Sequence, residues 1–179
     1  MPKQHFPRTP GKGIDVTAAE MAGRIARYRD LKPDPDAFPD AGDKKRERTI
    51  AFAISPGNTA GPAAISAPHG FHVVMIESGK SKRPPSHAHP YNEVFICLEG
   101  KFAIYWGIEA EQKAERGEPD MVLEPYDMVS IPPGTMRNFD CLSETPGKLM
   151  VIFDTFADPN IGVVVPPELY DQYYRRHER

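Results

Sequence analysis

Two imidazoles and a carboxylate stand within seven residues of this chain, in the run His87-Ala88-His89-Pro90-Tyr91-Asn92-Glu93. On an extended strand, residues two apart point to the same face, so His87 and His89 project together. Glu93 follows a short loop through Pro90 and can return a carboxylate oxygen to the same point. Neutral imidazole combined with carboxylate suits a divalent transition metal such as Fe(II), Mn(II), Ni(II), Co(II) or Zn(II). The expected constellation is a small metal site on one wall of a β-barrel, with His87, His89 and Glu93 as ligands. The plainer alternative is a solvated polar loop. A second segment, Ile131-Pro132-Pro133-Gly134-Thr135, has the character of a facing wall, and Arg137 follows it.

Strands must hold these residues. Short apolar-alternating runs fall near 49–55, 71–78, 93–98, 102–107, 121–123, 128–131, 137–141 and 149–156. Gly100 turns between the third and fourth, and Pro132-Pro133-Gly134 makes a rigid turn. Many short strands with regular turns predict an all-β antiparallel jelly roll over 49–158. Residues 109–118, with Glu109, Glu111, Glu115 and Glu118, read as a solvated loop. Lys82-Arg83 reads as an exposed turn, and 56–70 as a long connection near a pocket mouth.

Residues 1–48 form an extension with one helix. Thr17-Ala18-Ala19-Glu20 is a capping box, and Met21, Ile25 and Tyr28 continue at helical spacing. This arm offers an apolar face to the barrel or to a second subunit. In the tail, 159–179, a short C-terminal helix is expected over 168–176, carrying Leu169, Tyr170, Tyr173 and Tyr174.

The chain of 179 residues carries a net charge of −3 and 26% charged residues, with no basic stripe that would grip nucleic acid. No apolar run approaches the roughly 18 residues of a membrane span. The first residues lack an apolar signal core, which points to the cytoplasm. Cys97 and Cys141 sit in strand-like apolar contexts and read as buried small hydrophobes, not a disulfide framework.

The spacing His87-x-His89, Glu93, Gly100 resembles the first motif of the cupin superfamily, with Ser81 where that motif usually opens with glycine. Asp127, Pro132 and Gly134 resemble the second motif, in which Tyr126 replaces a glycine, Arg137 the third metal-ligand histidine and Cys141 an asparagine. The resemblance implies a double-stranded β-helix, a homodimer and one divalent metal, Fe(II) foremost. It also implies a metal-dependent enzyme, in the first instance a mononuclear non-haem dioxygenase-like oxidoreductase acting on a small anionic or enolisable substrate. A guanidinium keeps its proton and has no lone pair for a metal. Two arrangements therefore stay open. In one, His87, His89 and Glu93 hold the metal and Arg137 is the catalytic residue that clamps the anionic substrate. In the other, Arg137 pairs with Glu93 in a metal-free pocket of a ligand-binding or sensor protein. A metal-dependent isomerase or decarboxylase is a third possibility.

Other ligands are weaker candidates. His72 shares a strand face with Val74 and Ile76 and reads as a core histidine; His69 lies in the long connection, and Asp140 has the wrong parity relative to Arg137. Tyr91 and Asn92 flank the expected pocket mouth. Of Phe95, Tyr105, Trp106, Phe139 and Phe153, about half are expected to fill the barrel.

Overall fold

The computed structural model describes residues 17–22, 24–32, 50–53 and 71–154. Eight strands carry it: β1 (Ile50–Ala53), β2 (His72–Ser78), β3 (Glu93–Glu99), β4 (Phe102–Trp106), β5 (Met121–Leu123), β6 (Met128–Ile131), β7 (Arg137–Cys141) and β8 (Gly147–Phe153). Two helices accompany them, α1 (Ala18–Ala22) and α2 (Ala110–Arg116). All strand pairs are antiparallel, in one sheet ordered β1-β2-β8-β3-β6 and a second ordered β5-β4-β7.

The period-two pattern decides which side chains meet between the sheets. Glu93, Phe95 and Cys97 are buried along β3 while Val94, Ile96 and Leu98 are less so. Val74 and Ile76 of β2, Leu149, Val151 and Phe153 of β8, and Phe102 and Ile104 of β4 complete one apolar core. Each such burial contributes roughly 1.5–3 kcal/mol. The core fixes register, because a slip of one residue would turn each strand's apolar set outward. Gly100 makes the β3–β4 turn at φ +81°, a left-handed conformation that suits glycine. Cys97 and Cys141 are both buried free thiols in that core, and burial raises the Cys97 pKa.

Three expectations need correction. The glutamate-rich stretch at 109–118 is not a solvated loop: α2 occupies it and packs Ala110 and Ala114 against Ala103 and Tyr105, on the outer face of β4. Gly117, at φ +68°, ends this helix in the left-handed conformation common at helix termini. Arg83 is not an exposed turn residue; its side chain is 21% exposed and lies against α2, donating to the Ala114 carbonyl. The arm helix stops at Ala22, and a single 3-10 turn over Tyr28–Asp30 follows where helical spacing predicted continuation. The long connection, the tail helix and His69 lie outside the described residues.

Candidate functional site

The pocket is built where the 87–89 segment zips onto β7 and its preceding turn. His87 N–H donates to the Arg137 carbonyl at 3.2 Å, and Arg137 N–H donates back to His87 at 2.9 Å. Gly134 N–H donates to the His89 carbonyl at 2.8 Å. Glu93 opens β3 between Ile131 of β6 and Phe153 of β8. These ladders bring His87, His89, Glu93 and Arg137 around one cavity of about 20 Å³, which Phe95, Phe153 and Val151 also line. That volume holds about one water molecule, so the pocket as it stands has no room for a larger ligand.

Arg137 fills the pocket. Its side chain is 1% exposed; Nε donates to a Glu93 oxygen at 2.5 Å, and Nη1 donates to the His87 carbonyl at 2.7 Å. Charge-assisted bonds of this kind are the strong ones. The His87 ring nitrogen Nδ1 lies 2.7 Å from the Pro85 carbonyl. A carbonyl only accepts, so Nδ1 carries a proton and, in the neutral ring, the lone pair is on Nε2. His89 meets His87 edge-on, with ring centroids 5.2 Å apart, and packs against the Phe153 ring at 4.9 Å.

The motif resemblance implies a divalent metal, and the His87 tautomer suits a ligand. The arrangement as a whole does not fit a three-ligand centre. Among the described residues, no group of three or more His, Cys, Asp or Glu side chains is disposed to hold a metal ion. The Glu93 carboxylate is engaged by Arg137, and a guanidinium beside a divalent cation is strongly repelled in a low dielectric.

The residues singled out by sequence fall into two groups. His87, His89, Glu93 and Arg137 share the cavity. His72 faces inward with Val74 and Ile76, but it pairs with Phe153, whose strand separates it from Glu93. Asp140 lies on the opposite face of β7 from Arg137, as parity required. Among the aromatics, Phe95, Phe139 and Phe153 fill the core, Trp106 packs partly against it, and Tyr105 faces outward beneath α2.

A polar group behind the wall was not foreseen. Glu111 of α2 accepts hydrogen bonds from Ser86 N–H at 2.8 Å and Asn138 Nδ2 at 3.3 Å, and lies 3.6 Å from Arg83. Asp140 and Tyr105 share this outer layer. Burial raises the Asp140 pKa, opposed by Arg83 and the Cys141 N–H, and burial likewise raises that of Tyr105. The available signal was Ala110 and Ala114, four apart and ahead of Gly117: a narrow helical stripe ending at a helix stop.

A family profile described as a cupin domain matches residues 72–153. No curated protein matches the chain. Among solved structures, an oxalate decarboxylase from Lactobacillus farciminis, in a formate complex, is similar at TM-score 0.55 and 12% identity, over 84% of this chain and 38% of that one. An RmlC-like cupin from Shewanella frigidimarina is similar at TM-score 0.49 and 16% identity, over 75% of this chain and 92% of that one. A cupin-2 domain protein from Rhodospirillum rubrum is similar at TM-score 0.48 and 15% identity, over 71% of each chain. Identities this low speak to fold alone.

Proposed function

We propose that this chain, which belongs to the cupin superfamily, uses its barrel pocket to bind a small carboxylate or enolate, with Arg137 and not a metal as the cationic centre. One observation carries this: a fully buried guanidinium stands where the resemblance places the third ligand histidine, and it is already bonded to a carboxylate. A ligand carboxylate is chemically equivalent to the Glu93 side chain and can take its place on Arg137. His87 and His89 line the same cavity, where a ring nitrogen that carries a proton donates to the anion, and Phe95 and Phe153 supply apolar walls. Binding requires Arg137 or Glu93 to move, because the cavity is water-sized.

The test is a thermal-shift titration with acetate, pyruvate, benzoate and salicylate. At least one should raise the wild-type Tm saturably, and Arg137→Gln should abolish the shift. Equal shifts in the two proteins would contradict a role for the guanidinium.

A second reading has its own support. The Nδ1–Pro85 bond leaves Nε2 of His87 as an acceptor, the state in which a histidine ligates a metal. On that reading the protein is a metal-dependent enzyme, an oxygenase in the first instance, with His87, His89 and Glu93 as ligands. Either reading is compatible with a cytoplasmic homodimer, for which the exposed Met21 and Ile25 of the arm supply an apolar face. No described helix is long and apolar enough to cross a membrane.

A further inference from the structure

We propose that Glu111 is a positioning residue: from the outer face of the barrel wall it sets where His87 and Arg137 stand in the pocket. The link is short. Glu111 bonds Ser86 and Asn138, the residue before His87 and the residue after Arg137. His87 and Arg137 are themselves paired backbone to backbone. One carboxylate therefore fastens both strands of the bridge from behind, while the bridge presents its two functional side chains in front. Neighbouring strand side chains face opposite sides, so a tether on the Asn138 side chain restrains Arg137 from the outer face of β7.

The tether is built, not incidental. Glu111 is 9% exposed, Ser86 2% and Asn138 0%. Its height over β7 is fixed by Ala110 and Ala114, whose small side chains let α2 sit close on Ala103 and Tyr105. Arg83 balances its charge at 3.6 Å and ties itself to the end of α2 through the Ala114 carbonyl. The surrounding layer is otherwise sparsely bonded: Ser86 Oγ, Asn138 Oδ1 and Asp140 Oδ1 are buried with no hydrogen-bond partner among the described residues. Without Glu111, the Ser86 N–H and the Asn138 amide would be buried donors lacking their acceptor, a state that a local shift of the bridge would relieve.

Arg137 as the pocket's cation is the premise, yet the position of Arg137 can be read without any ligand. The readout is hydrogen exchange of the Arg137 Nε–H, followed by ¹H–¹⁵N NMR, with the amides of Val74 and Val151 as reporters of global opening. Glu111→Ala should speed Arg137 Nε–H exchange at least about tenfold while the two core amides stay nearly unchanged, the mark of a local opening. Glu111→Gln keeps an acceptor oxygen and should stay near wild type. Should Glu111→Ala fail to fold, Glu111→Asp draws the acceptor back by one methylene and should show the same selective acceleration. Unchanged Arg137 exchange, or acceleration in equal proportion to the core amides, would overturn the assignment and leave Glu111 as an anchor of α2 alone. A failed carboxylate titration would not touch this result.

Discussion

Glu93→Gln should partly rescue Arg137→Met. Methionine nearly fills the space of arginine but cannot reach either oxygen with a donor. The Glu93 carboxylate, 5% exposed, is then buried without its cation, and the His87 carbonyl loses the Nη1–H bond. Breaking a buried pair from one side costs about 3–5 kcal/mol, while the His87 carbonyl keeps the backbone N–H of residue 137 as a donor. Arg137→Met should therefore lose about 3–5 kcal/mol, a large share of a typical domain's 5–15 kcal/mol. Glu93→Gln removes the buried charge that causes most of this. In the wild-type background it destabilises, because Arg137 loses an ionic partner. In the Arg137→Met background it should stabilise by about 2 kcal/mol. Urea unfolding of the four proteins at neutral pH, analysed as a double-mutant cycle, measures this directly. If Glu93→Gln destabilised both backgrounds by the same amount, the two side chains would not be coupled and the ion-paired pocket described above would be wrong.

Two further outcomes follow from single residues. Burial holds the Asp140 pKa above its ordinary value of 3.8, so the folded state binds the more protons. Its contribution to stability is full below that value and is lost as pH rises through the raised pKa. Asp140→Asn should flatten the fall in stability over that window, as followed by urea midpoints against pH; an unchanged slope would remove Asp140 as its source. At Gly147, a Cβ would stand 2.8 Å from the Phe102 ring and 2.9 Å from the Glu99 carbonyl. Gly147→Ala should thus cost about 1–3 kcal/mol through overpacking, and an unchanged unfolding midpoint would show that β8 does not start that close to the ring.

The sequence was most legible where one rule acted alone. Period-two burial located every strand of the described barrel, and the parity that put Asp140 behind Arg137 holds. His87, His89, Glu93 and Arg137 were brought together from spacing and resemblance, since a strand's alternation constrains which face a residue occupies. The ion pair itself was one of two open arrangements, because spacing does not say which partner a guanidinium chooses. What failed was the helix at Ala110–Arg116. Its buried stripe is only two alanines wide, and four glutamates around them resemble a solvated loop. The burial of Glu111 depends on Ser86 and Asn138, 25 and 27 residues away in sequence, which no local pattern can register. The arm helix was read too long for a related reason: helical spacing through Tyr28 says nothing about whether a surface is there to pack against.

The central claim is that Arg137, paired to Glu93, occupies the place of a metal centre. Elemental analysis tests it most directly, on protein purified without a polyhistidine tag and then exposed anaerobically to Fe(II), Mn(II) and Ni(II) before desalting. The expected result is far less than one ion per chain and a Tm indifferent to EDTA. One ion per chain, lost in His87→Ala, would contradict it and establish the three-ligand centre in its place.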